Sequence, residues 1–173
     1  MARRRFPLSA LLSVLFASAL GAAPEWPLTL NEGLPSKLPG YTSAPRDPLP
    51  DTFENEMGTY TEASRLFQKI EPGAAKQFRI AVQDYGNTKN IEDRIRAAMT
   101  EASKSRGVST AKRTLAGFPA YAITDRSGSP PTSLVTVVVS PGRLVLGQGS
   151  NVDQEEAIRL LSNVDFAKVV AAH

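Results

Sequence analysis

The chain has 173 residues, no cysteine and a single histidine at its last position, which excludes several common kinds of site. Zinc and copper centres of the Cys/His type have no ligands, and Ser-His-Asp or Cys-His nucleophile systems have no base. Three of the 20 basic residues are Arg3, Arg4 and Arg5, so the remaining chain carries 17 basic and 17 acidic residues. This balance argues against nucleic acid as a partner, and it leaves a local basic patch open. We therefore expect no cofactor and no nucleic-acid binding.

The first 21 residues have the layout of a secretory signal peptide. The three arginines precede an apolar stretch from Leu8 to Leu20, and Ala19-Leu20-Gly21 offers a cleavage site between small residues. The apolar stretch is too short for a comfortable membrane span of about 20 residues. The sequence therefore predicts a periplasmic or secreted protein, with no stable membrane insertion after residues 1–21 are removed.

Residues 22–52 are predicted to form a proline-rich arm or linker ahead of a single domain, residues 53–173. Seven of the 13 prolines lie between positions 24 and 52. Proline lacks a backbone donor and is therefore excluded from the interior of a sheet. Two interpretations stay open: the arm is a tether or a strap lying on its own domain, or it binds a partner through Trp26 and Tyr41.

The domain begins with a predicted β-hairpin. One strand covers Tyr60–Ile70, and Glu71-Pro72-Gly73 is a turn signal. In the second strand, Phe78, Ile80 and Val82 alternate with Arg79, Ala81 and Gln83, as is typical of a strand with one buried face.

A helix is predicted next, because apolar residues recur at helical spacing: Ile91, Ile95, Ala98, Met99 and Ala102. Gly107 is expected at the C′ position of this helix. Two further strands, Val108–Leu115 and Phe118–Asp125, then flank a turn at Ala116-Gly117.

The run Leu134–Val139 predicts the central strand of the sheet. It is uncharged and apolar on both faces, unlike a half-exposed strand. After it, Gly147 and Gly149 indicate a bulge or a place where another backbone approaches closely. Asp153, with Glu156 three residues later, predicts the start of a second helix.

These elements predict an α+β fold, with a mostly antiparallel β-sheet packed against two amphipathic α-helices in a layered sandwich. The topology, together with Gly117-Phe118-Pro119-Ala120 in a hairpin and a closing helix ending near Val164-Asp165-Phe166, resembles the PsbP/DcrB-like group of small exported α/β/α sandwich proteins. The resemblance covers roughly Thr59 to Val170. That group includes photosystem accessory proteins and envelope lipoproteins, and the resemblance brings no catalytic residues onto this chain.

Three functions follow as hypotheses, and the last of them is a purely structural or assembly factor, whose sign would be a stable oligomer with no ligand. The first is a non-enzymatic exported accessory protein of the cell envelope. It would bind a protein partner or a small apolar ligand through a sheet edge, the arm or the loop that begins at Arg126. The alternative is a carboxylate-based hydrolase or a calcium-dependent binding protein that uses Asp84, Asp125 and Asp153. It requires these three carboxylates to converge, although each also suits a turn or a helix N-terminus.

Overall fold

The structure, a computed structural model, describes residues 30–43, 49–86 and 88–172. The predicted signal peptide and Trp26 lie outside these residues. None of the helices in the described ranges is long and apolar enough to cross a membrane. In chain order, the described residues form β1 (Thr42–Ser43), β2 (Asp51–Asn55), β3 (Gly58–Glu71), β4 (Ala74–Asp84), α1 (Ile91–Ala102), β5 (Val108–Leu115), β6 (Phe118–Asp125), β7 (Thr132–Ser140), β8 (Arg143–Ser150), α2 (Gln154–Leu161) and α3 (Phe166–Ala171).

The described strands belong to one antiparallel sheet. Its order is β1-β3-β4-β8-β7-β6-β5, and β2 also pairs with β3. The outer edge of β3 is therefore covered by two short strands, whereas β5 forms the opposite edge. A mostly antiparallel sheet with a few short helices confirms the α+β class at this level of detail.

Strands β3 and β4 form the β-hairpin that the sequence predicts at the start of the domain. Glu71 faces Ala74 at its tip, and only Pro72 and Gly73 connect the two strands. Gly73 has a φ of +84°, a conformation that glycine adopts without steric cost and that a type II turn requires at the position after its proline.

One face of the sheet, here called the strap face, carries the larger hydrophobic core. Helices α2 and α3 pack on it, and so does the segment 30–43, here called the strap. The strap contributes Leu30, Leu34 and Leu38, all buried. Asp165 at the start of α3 donates its backbone N–H to the carbonyl of Gly33 at 3.0 Å. The described part of the proline-rich segment is therefore a strap on its own domain.

The central position of β7 confirms the prediction for Leu134–Val139. Strand β7 lies between β6 and β8, and its valines are buried on both faces of the sheet. Glycine in β8 allows α2 to approach closely: a Cβ atom on Gly147 would lie 2.8 Å from both Leu161 and Phe78. The atoms nearest to such a Cβ belong to side chains, so Gly147 makes room for side chains and the predicted approach of another backbone is not confirmed there. The one register shift between β7 and β8 lies elsewhere, between Val138 and Ser140.

The second face, here called the α1 face, is covered by one helix of the described residues. Helix α1 contacts mainly β5 and β6, and Ile91 and Met99 are its buried residues. The predicted apolar stripe is confirmed only in part, because Ala98 is exposed. The prediction for Gly107 is wrong. The helix ends at Ala102, and Gly107 lies in the turn before β5 with a φ of +85°.

Candidate functional site

Asp84, the first of the three predicted acidic residues, has a structural role. Its carboxylate accepts hydrogen bonds from the Arg143 guanidinium, one of them from Nε at 3.0 Å, and from the Gly86 N–H at 2.7 Å. Arg143 also donates to the carbonyls of Val169 and Ala172 at 2.8 and 2.7 Å. Asp84 thus orients a guanidinium that holds the C-terminal helix against the sheet.

Asp125 and Asp153 each serve their own turn or helix. Asp125 accepts the N–H and the hydroxyl of Ser127 at 2.8 and 2.6 Å. Asp153 is the N-cap of α2 and accepts the Glu156 N–H at 2.7 Å, which confirms the predicted helix start. Two of the three predicted acidic residues therefore lie at the Ser150 end of β8.

Asp84 lies at the other end of the sheet. It faces Arg143 at the start of β8, whereas Asp125 faces Thr132, which in turn faces Ser150 at the end of β8. Seven residues of extended strand separate the two ends, a distance of about 23 Å. The structure therefore does not bring the three aspartates together. The described residues also contain no group of three or more His, Cys, Asp or Glu side chains that could hold a metal ion.

The predicted partner-binding residues have different positions. Tyr41, predicted as an apolar anchor for a partner, is 9% exposed, and its hydroxyl donates to Glu156 at 3.1 Å. Its ring packs within the protein, and partner binding through it stays a prediction. Burial, and then the hydrogen bond to Glu156, raise the pKa of Tyr41. Trp26 lies outside the described residues. Arg126 is exposed in its loop, and its backbone N–H donates to Gly107 at 2.9 Å.

A cavity of about 270 Å³ lies beside the N-terminus of α2, with Arg126 at its rim. Its other charged residues include Lys76, Asp153 and Glu156. Lys76 donates to Glu156 at 2.8 Å, and this hydrogen bond raises the pKa of Lys76. Glu156 thus joins the strap, through Tyr41, to the β3–β4 hairpin. The cavity is a structural junction whose charges are largely satisfied within the protein.

A buried polar network occupies the α1 face near the end of β4. Glu62, 3% exposed, accepts hydrogen bonds from Arg79 and from Gln83, the latter at 2.8 Å. Gln83 in turn accepts from the Tyr85 hydroxyl at 3.2 Å, and Asn55 donates to that hydroxyl at 2.9 Å. Burial raises the pKa of Tyr85. Each member has a partner, so the network resembles a rigid structural element more than a reactive one.

A second cavity, here called the α1 cleft, opens between α1 and the β5 edge. Its volume is about 340 Å³, and it is lined by residues that include Arg96, Thr100, Thr110, Lys112 and Tyr121. The Lys112 ammonium lies 5.8 Å from the centre of the Tyr121 ring, within the range of a cation–π contact. The cleft therefore combines an aromatic floor with positive charge.

Helix α1 is held over the cleft by a three-residue cluster. The Tyr121 hydroxyl donates to Glu92, and Arg96 donates to the Tyr121 oxygen at 3.1 Å and to Glu92 at 2.6 Å. The hydrogen bond from Tyr121, followed by that from Arg96, lowers the pKa of Glu92. The charge of Arg96 is thus balanced by Glu92, whereas Lys112 forms no salt bridge with any described residue.

Positive charge is concentrated along the segment that leads into β5 and through it. Residues 102–115 contain four basic side chains and no acidic one: Lys104, Arg106, Lys112 and Arg113. Within the part of the chain that the structure describes, only Lys104 of these four has a salt-bridge partner, Glu101 at 2.6 Å. Charge counts over the whole chain missed this patch. The local run of basic residues was the signal that could have found it.

Comparisons with family models and with curated proteins find no match for this chain. The candidate site is therefore defined by its geometry alone. It consists of the outer edge of β5, here called the open edge, and the α1 cleft beside it.

Proposed function

We propose that this protein is an exported, non-enzymatic accessory protein of the cell envelope that binds a protein partner at the open edge. The observation that carries the proposal is the coincidence of three features at β5. These are the position of β5 at the edge of the sheet, the neighbouring α1 cleft, and the basic side chains of Lys112 and Arg113, which have no acidic partner among the described residues. An exposed sheet edge is a recurrent docking site for extended segments of other proteins.

Export is part of this proposal and rests on the sequence. The basic start of the chain, the apolar stretch Leu8 to Leu20 and the small residues at Ala19-Leu20-Gly21 support a cleaved leader. The layered PsbP/DcrB-like sandwich is also part of the proposal. It is supported by helices that pack on both faces of the sheet, α1 on one and α2 and α3 on the other.

A protein partner is favoured over a small apolar ligand by the lining of the two cavities. Both cavities contain charged side chains, such as Arg96 and Lys112 in one and Lys76 and Glu156 in the other. A site for an apolar ligand is usually lined mostly by hydrophobic and aromatic groups. The hydrolase alternative gains no support, because Asp84 lies at the far end of the sheet from Asp125.

Site-specific photo-crosslinking in the source organism tests this function. A photoreactive residue replaces Thr114, which is exposed at the open edge, and, as a control, Ser162, which is exposed beyond the end of α2. The envelope fraction is illuminated, and the adducts are identified by mass spectrometry. We expect a defined polypeptide adduct from position 114 and none from position 162. No adduct at position 114, or equal adducts at both positions, would overturn the proposal.

The same preparation tests export. Mass spectrometry of the intact protein from the envelope fraction should give a mature N-terminus at Ala22. A protein that retains residues 1–21 and is recovered from the cytoplasm would contradict the export part of the proposal.

A further inference from the structure

The backbone of the open edge has hydrogen-bonding groups that β6 does not use. Facing residues in antiparallel strands alternate between pairs that exchange hydrogen bonds and pairs that do not. The Arg126 N–H donates to the Gly107 carbonyl at 2.9 Å, in the register that continues the pairing of β5 with β6. The odd-numbered residues of β5 therefore bond to β6. The N–H and C=O groups of Thr110, Lys112 and Thr114 point away from the sheet.

The side chain of Arg113 supports this orientation independently. Its Nη1 donates to the carbonyl of Lys112 at 3.2 Å, so this carbonyl lies outside the ladder that joins β5 to β6. The same contact brings the Arg113 guanidinium to the rim of the sheet. A cation therefore occupies the position that an incoming strand would approach.

The charges of the open edge select the kind of strand that it can accept. Lys112 and Arg113 are exposed neighbours and form no salt bridge with described residues. Two copies of β5 paired along this edge would bring four positive side chains together, and like charges across a strand pair are destabilising. Carboxylate side chains on the incoming strand would instead be attracted to the edge.

The α1 cleft provides a place for side chains of such a strand. Successive side chains of a strand point to opposite faces, so every second one would lie on the α1 face next to Thr110 and Lys112. The cleft there is about 340 Å³ in volume, and Arg96 and Thr100 line its far side. It can accept a carboxylate-bearing side chain close to the Lys112 ammonium and above the ring of Tyr121.

From these observations we propose that the open edge binds an extended acidic segment of a partner protein, which adds to the sheet as a further strand beside β5. This inference rests on the proposed partner-binding function and names the chemistry of the partner. Backbone hydrogen bonds to Thr110, Lys112 and Thr114 supply the docking. The basic side chains supply the selectivity for acidic sequences.

The test uses synthetic peptides and the isotope-labelled mature chain. The probe is a peptide of about six residues that alternates glutamate and valine. One matched peptide has lysine in place of each glutamate. A second keeps the charge but carries N-methyl groups along one edge, which removes its strand-forming donors. Binding is followed by NMR shifts of the amides of Thr110, Lys112 and Thr114, up to about 1 mM peptide.

We expect the acidic peptide to shift these three amides and the other two peptides to bind at least about tenfold more weakly. The double variant Lys112→Glu, Arg113→Glu should weaken binding by a similar factor. The charge-matched control Arg159→Glu, Lys168→Glu changes exposed residues of α2 and α3 and should bind as the parent does.

Three outcomes would overturn the inference. One is the absence of amide shifts at millimolar acidic peptide. Another is equal binding of the N-methylated peptide, which would mean attraction by charge alone. The third is tighter binding of a short DNA oligonucleotide or of anionic lipid vesicles at the same residues. A crosslink at position 114 together with no peptide binding would reject the inference that the partner is an acidic strand, but it would leave the proposed partner-binding function standing. Failure of the inference and failure of the proposed function can therefore be told apart.

Discussion

The two edges of the sheet are protected in different ways. Along β3, β2 pairs with the first part of the strand and β1 with residues near its end, and the strap, which ends in β1, packs into the core. Along β5, no described strand follows, and exposed basic side chains take the place of a covering strand. Both arrangements prevent uncontrolled pairing of sheet edges. Only the second leaves backbone groups accessible to a partner, which is why we assign function to β5.

The largest expected effect on the free energy of unfolding comes from loosening the strap at the covered edge of the sheet, beside β3. Leu38→Ala removes a side chain that is 3% exposed and that anchors the strap beside β1. We expect the free energy of unfolding to fall by about 3 kcal/mol, measured by urea denaturation. Leu49→Ala is the control, because Leu49 is 76% exposed and its loss should cost less than about 0.5 kcal/mol. Equal effects of the two variants would mean that the strap does not stabilise this edge.

A smaller effect is expected where the strap meets α2. Tyr41→Phe keeps the ring and removes the hydrogen bond to Glu156. We expect a loss of about 1 kcal/mol in the free energy of unfolding. In the variant, the Lys76–Glu156 contact remains, so peptide binding at the open edge should not change. Weakened peptide binding in Tyr41→Phe would contradict the separation of the two edges.

The stability that Glu92 contributes beside the α1 cleft should depend on pH. The folded-state pKa of Glu92 lies below its ordinary value of 4.5 because Tyr121 and Arg96 bond to the carboxylate. The ionised Glu92 carboxylate therefore stabilises the folded protein at pH values above its pKa in the unfolded chain. This contribution is lost as the pH falls through its lower pKa in the folded protein. Carboxyl NMR titration should give a Glu92 pKa below 4.5, and Tyr121→Phe should raise it. An unchanged Glu92 pKa in that variant would show that Tyr121 does not hold the carboxylate.

The smallest effect on stability is expected at the open edge itself. Lys112→Thr with Arg113→Thr changes exposed residues, so the free energy of unfolding should change by less than about 0.5 kcal/mol. The oligomeric state should change instead, because an edge strand without charged side chains can pair with the same edge strand of a second copy of the protein. Analytical ultracentrifugation should detect concentration-dependent association. A variant that stays as monomeric as the parent would show that these charges do not protect the edge.

Local elements were predictable because neighbouring residues specify them. The alternation around Phe78 and the turn at Pro72-Gly73 define the β3–β4 hairpin, and Asp153 defines the start of α2. The uncharged run in β7 predicts a central strand because burial on both faces requires it. The α1 stripe was predicted less well. Its helix covers a sheet face that is only partly closed, so Ala98 stays exposed despite its spacing.

The candidate site was predictable only in outline. A sheet edge was among the expected binding surfaces, but the sequence does not show which strand is left uncovered. Tyr41 and Asp84 looked available because their partners, Glu156 and Arg143, are distant in the chain. By itself, the sequence determined the strands from β3 to β8 and the start of α2, since these depend on neighbouring residues. It did not predict β1, β2 or the third helix, Phe166–Ala171. The tertiary structure alone decided that the strap closes the edge of β3 and that β5 stays open, because pairing and burial depend on residues that meet only in the folded chain.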